Sequence, residues 1–244
     1  MRTKEFLGKH GIDFLSRNVL EDKDAWDELK PFGIKTVPVV TRGKSWANGQ
    51  ILRDVADLVD IDLGDQTMLA PKELARRINL VLDAEQRLFG QMPEEKMQGE
   101  VPGRPRTFAN LAWHTFNVVD AWLEHEVEGI ALVNGAYARN APEGGNSKAD
   151  ILAYGADVQR RFEHWWETQG QHTDFDEPAE TYYGEQSKHD FLERTTWHSG
   201  QHCRQMAMIL ETFIGIAPNA PLPDSTWIGL PMPEKVWDDE KPIR

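Results

Sequence analysis

The chain has 244 residues, of which 40 % are hydrophobic, and its formal net charge is −13 at pH 7. This acidic balance argues against binding to nucleic acid or anionic membranes, because such binding depends on Lys and Arg neutralising phosphate. A single cysteine, Cys203, excludes both an internal disulfide framework and a Cys-x-x-Cys redox centre. The sequence contains no apolar run of the roughly 18 residues that a membrane span needs, and its first residues lack the apolar core of a signal peptide. We therefore expect a cytoplasmic protein.

The first part of the chain, residues 1–64, has an α/β pattern. Short apolar runs predict strands at 12–15 and 37–40. The intervening and following segments, 24–30 and 50–59, have the spacing of short helices. We therefore predict a small α/β domain that ends near residue 64.

The second part, residues 65–217, is predicted to be all-helical. Pro71 opens one helix, a stretch rich in Pro and Gly interrupts at 92–105, and a second helix runs from about 106 to 126. Ser147 and Ser187 each precede Asp by three residues, which is the form of a capping box and predicts two further helix starts. Four such helices indicate a bundle.

The last part, residues 218–244, contains six prolines and is predicted to be an extended tail without regular structure. The fold class is thus mainly α, with a small N-terminal α/β domain, a helical bundle and a C-terminal tail.

Three histidines in the helical part form a candidate metal site. His198 and His202 are four residues apart, so both imidazoles project from one face of a helix. His114 lies on the apolar stripe of an earlier helix and can face this pair across the bundle. Each of them alone would fit an ordinary buried histidine, but the three together favour a metal. His125 lies about 16 Å further along its helix than His114, too far to bind the same ion.

Residues 69–215 resemble the DinB-like superfamily of metal-binding four-helix bundles. The resemblance rests on one His in the second helix and a His-x-x-x-His-x-Arg-Gln motif in the fourth, at His114, His198, His202, Arg204 and Gln205. It implies that the three histidines bind one divalent metal, zinc or nickel, and leave coordination positions open. Several members of that superfamily are transferases or isomerases that use a low-molecular-weight thiol.

The N-terminal part resembles glutaredoxins. The matching residues include the segment from Lys4 to Phe14 and Gly33-Ile-Lys-Thr-Val-Pro-Val-Val40. The resemblance implies a cis-proline at Pro38 and backbone at Thr36, Val37 and Pro38 that pairs with the peptide part of glutathione. A Val-Pro entry into an edge strand would fit the same local sequence.

The match begins inside the first helix of the glutaredoxin pattern, so its first strand and its Cys-x-x-Cys are missing. This domain is therefore expected to do no dithiol chemistry. The gap in its sheet could be closed by pairing of the remaining strands, by the helical domain or by a partner chain. Alternatively, the natural start lies upstream of Met1. An exposed sheet edge and the dimers common among related bundles favour a homodimer.

The combined features favour an enzyme. A metal on three neutral imidazoles can deprotonate a bound thiol, and the cysteine-free domain could hold glutathione. We therefore expect a metal-dependent, thiol-using transferase, isomerase or dehalogenase acting on a small organic electrophile. The alternatives are a hydrolase that uses metal-bound water and a non-catalytic sensor or scaffold that binds metal or thiol.

Other residues near the histidines are weaker candidates. Arg204 could hold a substrate carboxylate at the rim of the site, although an outer salt bridge is the simpler explanation for it. Trp113 and Trp197 could form an aromatic wall or simply pack between helices. Tyr182 and Tyr183 could reach the site from the loop before the fourth helix.

Overall fold

A computed structural model of the protein describes residues 2–19, 21–34, 37–64, 68–102, 104 and 106–237. The chain forms two compact units. The first contains Met1–Thr67 and Pro233–Arg244, and the second contains Met68–Met232. The domain limits predicted from the sequence remain predictions, which limited proteolysis can test: 1–64, 65–217 and 218–244.

The first unit combines three short helices with a two-stranded hairpin. The helices are α1 (Arg2–Lys9), α2 (Lys23–Leu29) and α3 (Leu52–Leu58), and the strands are β1 (Val39–Arg42) and β2 (Ser45–Asn48). The strands are antiparallel, with Val39 opposite Asn48. Leu7, Ala47 and Val55 form the centre of a small core, because each of these elements turns one apolar side chain toward the others.

The strand predicted at residues 12–15 is wrong. This segment has no regular structure, and Leu15 is 85 % exposed. A strand needs a neighbour for its backbone groups, and among the described residues of this unit β1 and β2 pair only with each other. The second predicted strand starts two residues late, at Val39, after a cis peptide bond between Val37 and Pro38.

The second unit is a four-helix bundle. Its helices are α4 (Pro71–Gln91), α5 (Phe108–Glu128), α6 (Lys148–Thr168) and α7 (Lys188–Ile209). The core is apolar and closely packed, and its fully buried large side chains include Trp122, Phe89, Phe116, Phe162 and Phe191. The mainly α fold that the sequence predicts is confirmed.

Side-chain caps fix the starts of three bundle helices. Thr107 accepts a hydrogen bond from the Asn110 amide at the start of α5. Ser147 makes a complete capping box with Asp150 at the start of α6, as the sequence predicts. Ser187 accepts from the Asp190 amide at the start of α7. These caps set where each helix begins and therefore which residues face the core.

A second hairpin, β3 (Pro178–Thr181) and β4 (Gly184–Ser187), leads directly into α7. After α7 the chain continues as a π-helical turn, Leu210–Ile214, and from there to residue 237, where the described part ends, its one regular element is a 3-10 turn at Asp224–Trp227. Among the described residues we find no helix with the length and apolarity that crossing a membrane requires.

The C-terminal segment is anchored on the bundle. The Arg77 guanidinium donates to the carbonyl oxygens of Thr226 at 2.7 Å and Ile228 at 2.6 Å. Trp227 is only 9 % exposed and lies against Gly200 of α7, where a Cβ atom would come within 2.7 Å of the indole. The glycine therefore makes room for the tryptophan.

Candidate metal centre

Helices α5 and α7 bring His114, His198 and His202 together inside the bundle. One coordinating atom from each lies within 4.8 Å of the others. The Nε2 atoms of His114 and His198 are 3.4 Å apart, and the ring centroids of His114 and His202 are 4.7 Å apart. Three imidazole nitrogens that converge from two helices can hold one metal ion.

A hydrogen bond between the two helices fixes their relative position at the triad. The Ser199 hydroxyl, between the two histidines of α7, donates to the Thr115 carbonyl oxygen of α5 at 2.8 Å. Both residues are fully buried. Because Thr115 directly follows His114, this bond ties the single histidine to the pair.

Burial keeps the three imidazoles neutral. It lowers the pKa of His202 from its usual 6.5 to about 3, and the charge of Arg106 acts in the same direction. Burial also lowers the pKa values of His114 and His198 well below the usual range, with smaller contributions from neighbouring positive charges. A metal ligand must be the neutral imidazole, so this environment suits a metal site.

Gln205 determines the orientation of His202. Its side-chain oxygen lies 2.8 Å from Nδ1 of His202, so that nitrogen donates the hydrogen bond and Nε2 carries the lone pair. Partners of this kind fix the tautomer and raise the basicity of metal-binding histidines. The three converging imidazoles, their neutral state and this orienting amide fit a divalent metal.

Aromatic side chains and Arg194 contribute to the surroundings of the triad. Tyr137, from a 3-10 turn at Asn134–Ala138, presents its ring edge-on to His198 with the centroids 5.3 Å apart. Arg194 of α7 lies beside the same tyrosine, 5.1 Å from its ring centre. Neither residue was predicted from the sequence. Arg194 is four residues before His198, so its spacing could have identified it, whereas Tyr137 lies in a connection without periodicity.

The other residues that the sequence suggested near the histidines differ in what they contact. Arg204 donates to the Gln201 side chain at 2.9 Å, and its proposed role at the rim stays a prediction. Cys203 is buried. Trp113 stacks on Tyr154 with ring centroids 3.9 Å apart, which is helix packing between α5 and α6. Trp197 lies beside His198, with ring centroids 5.7 Å apart.

The predicted thiol-binding residues belong to the first unit. Thr36 lies outside the described residues. The Pro38 carbonyl oxygen accepts a hydrogen bond from the Gly49 amide at 2.9 Å, which joins the start of β1 to the end of β2. A Cβ atom at Gly49 would lie 3.1 Å from Pro38, so the two backbones approach closely. That Val37 and Pro38 bind a thiol stays a prediction.

The family model described as DinB superfamily matches residues 77–206, more than half of the chain. The chain belongs to the DinB superfamily. The glutaredoxin family model matches residues 1–46, so this part is similar to glutaredoxins. Searches of curated proteins and of solved structures gave no match. The DinB superfamily binds metals, and this member has a histidine triad that could hold one.

Proposed function

We propose that the protein is a metal-dependent enzyme that transfers or uses the thiol of glutathione in a reaction with a small organic electrophile. The reaction class is a transfer, an isomerisation or a dehalogenation. The observation that carries this proposal is the convergence of His114, His198 and His202 in a DinB bundle whose chain also has a glutaredoxin-like segment.

In this proposal the three histidines hold one zinc or nickel ion through their ring nitrogens. When bound, a divalent metal on neutral ligands keeps its full charge and lowers the pKa of a thiol or water beside it. The imidazoles contribute no charge of their own, because burial keeps them neutral. Gln205 holds the ring of His202 in one orientation, and the bond from Ser199 to Thr115 holds the two helices in register.

The glutaredoxin-like segment is proposed to bind glutathione through the backbone at Thr36, Val37 and Pro38. It contains no cysteine, so it cannot exchange disulfides itself. The thiol loses its proton to solvent, and its sulfur forms a bond to an electrophilic carbon of the substrate. In a transfer or dehalogenation the leaving group departs with the electrons of the broken bond, and in an isomerisation the thiol is released again.

A hydrolase is the second candidate, because the same triad would equally lower the pKa of a water molecule. In that case the first unit would not take part in the chemistry. We also propose that the protein is cytoplasmic and forms a homodimer. Neither proposal depends on the choice between the two reactions.

The experiment compares turnover with and without glutathione. The full chain is loaded with zinc or nickel and given a panel of activated aryl halides and of esters. We expect consumption of a halide only when glutathione is present, with release of halide ion, and loss of this activity in His114→Ala. Turnover of esters without thiol would support the hydrolase instead. Metal binding without turnover of either class would favour a sensor or scaffold.

A control measures the reduction of a mixed disulfide by the same preparation. We expect no reductase activity, because Cys203 is the only thiol and is buried in the second unit. Reduction at rates typical of glutaredoxins would contradict the proposed role of the first unit.

A further inference from the structure

Arg194 places a fixed positive charge beside the candidate metal centre. It precedes His198 by four residues on α7, so the two side chains lie on the same face of the helix, one turn apart. Arg194 is only 8 % exposed. Its guanidinium lies over the ring of Tyr137, and the same ring contacts His198.

Three tyrosines hold the Arg194 guanidinium in place. Its central carbon lies 4.4 Å from the ring centre of Tyr183, 5.1 Å from that of Tyr137 and 5.9 Å from that of Tyr182. Cation–π contacts of this kind stabilise a desolvated guanidinium. The Tyr137 ring also contacts His198 edge-on, so it forms a wall shared by the arginine and the triad.

Tyr182 supplies a second polar group at the same place. Its hydroxyl oxygen accepts a hydrogen bond from Nη2 of Arg194 at 3.2 Å. A hydroxyl that accepts from a guanidinium still has its own hydrogen to donate. Tyr182 is half-buried, whereas Tyr137 and Tyr183 are buried, so Tyr182 lies on the side of the cluster that solvent reaches.

The charges around the triad favour a negatively charged ligand. A divalent ion on neutral imidazoles would keep a charge of +2, and the Arg194 guanidinium, which lies over the Tyr137 ring beside His198, adds a further positive charge. A thiolate would neutralise only part of this. The planar fork of an arginine matches a carboxylate, with which it can form two parallel hydrogen bonds.

We propose that Arg194 and Tyr182 bind the carboxylate of the substrate, so that the enzyme acts on small electrophiles that carry a carboxylate a few bonds from the reacting carbon. The inference rests on the proposed function, which supplies the reaction. The binding of a carboxylate by Arg194 and Tyr182 does not require a thiol. Arg194 is a binding residue in this account, and it has no role in holding the metal.

Binding experiments on the full chain loaded with Co²⁺ test this site without turnover, because the visible spectrum of cobalt reports ligands at the metal. The first pair of probes is 3-mercaptopropionate and 2-mercaptoethanol, which differ by the carboxylate. The second pair, propionate and propionamide, contains no thiol and is measured by calorimetry. The third pair is glutathione and its diethyl ester.

We expect 3-mercaptopropionate to bind about tenfold more tightly than 2-mercaptoethanol, the usual size of a hydrogen bond to a charged group. Arg194→Gln should remove this advantage, so that the two mercaptans bind with equal affinity, while Arg194→Lys should restore part of it. Propionate should lose affinity in the same variant. Arg160→Gln is the matched control, because Arg160 is an exposed arginine of α6 that pairs with Asp157. This variant should bind every probe as the unsubstituted chain does.

Equal affinities of the two mercaptans for the unsubstituted chain, or equal loss of both in Arg194→Gln, would overturn the proposal. If Arg194→Gln does not fold, Tyr182→Phe removes a single hydroxyl and should weaken only the carboxylate probes, and no change there would also overturn it. If thiols do not bind but propionate does so through Arg194, the thiol function fails and the carboxylate site stands. A preference for glutathione over its ester, without one for 3-mercaptopropionate or propionate, would assign the site to glutathione and overturn the substrate assignment.

Discussion

The side-chain oxygen of Gln205 lies 2.8 Å from Nδ1 of His202, one helical turn away on α7. This contact joins two residues of the His-x-x-x-His-x-Arg-Gln motif into one structural unit. It leaves Nε2 of His202 as the nitrogen that can bind a metal. The motif therefore encodes both a ligand and the group that orients it.

Removal of the Gln205 amide should weaken metal binding. We expect Gln205→Leu to lower the affinity for zinc about tenfold or more, because loss of such a partner leaves the ring of His202 free to rotate and less basic. Gln205→Glu keeps an acceptor at the same place and should bind zinc at least as tightly as the unsubstituted chain. Competition with a chromogenic chelator measures these affinities.

Gln201 provides the control for Gln205, since it is another buried glutamine of α7 and accepts from Arg204. Gln201→Leu should leave zinc affinity within about twofold of the original, because the Gln201 side-chain oxygen accepts from Arg204 and not from a histidine of the triad. An equal loss in the two leucine variants would show that the effect comes from disturbing α7 in general.

Packing between α5 and α6 depends on the absence of a side chain at Gly155. A Cβ atom there would lie 2.5 Å from the buried ring of Phe116. We expect Gly155→Ala to lower the free energy of unfolding by about 1 to 2 kcal/mol, because the overpacking cost exceeds the gain in helix propensity. Urea denaturation followed by circular dichroism measures the change.

Gly90 of α4 is the matched control, because a Cβ atom there would meet nothing within 4 Å. Gly90→Ala should raise the free energy of unfolding by about 0.5 kcal/mol. Stabilisation of the same size by both alanines would mean that α5 and α6 do not approach each other as closely as described.

Glu85 should make the stability of the chain depend on pH. The side chain is fully buried, and burial raises the pKa of its carboxyl well above the usual 4.5, with the Cys203 thiol acting in the opposite direction. Above pH 4.5 the unfolded chain releases this proton while the folded chain keeps it. The free energy of unfolding should therefore fall as pH rises, by up to about 1.4 kcal/mol per pH unit, until the pKa of the folded state is reached.

Glu85→Gln removes this proton release, so its stability relative to the unsubstituted chain should increase from pH 5 to pH 8. Glu73 is a control of opposite sign, because hydrogen bonds from Arg76 and Arg77 lower the pKa of its carboxyl from 4.5 to about 2. The stabilisation from Glu73 is present above pH 4.5 and is lost as pH falls toward 2. Parallel stability curves for Glu85→Gln and the unsubstituted chain between pH 5 and 8 would contradict the assignment of a protonated Glu85.

The sequence predicted the features that helical periodicity controls. His114, His198 and His202 converge because each occupies the apolar stripe of a long helix, and the caps at Ser147 and Ser187 fix where two of those helices start. The predicted convergence therefore needed only the spacing of residues along each helix and the packing of apolar faces.

Features that depend on a distant partner could not be predicted in this way. The segment 12–15 has the composition of a strand but pairs with neither β1 nor β2, the two strands described in its unit. The polar hairpin of β3 and β4 lacks the apolar alternation that would have indicated it. Tyr137 reaches the triad from a connection between helices, where no period relates sequence position to direction.

Metal analysis of the purified full chain tests the central claim most directly. We expect about one zinc or nickel ion per chain, and loss of that ion in the double variant His198→Ala, His202→Ala. His125→Ala, which changes a histidine of α5 that interacts with Glu126 at 3.0 Å, should keep it. Full metal occupancy in the double variant would contradict the assignment of the metal site to His114, His198 and His202.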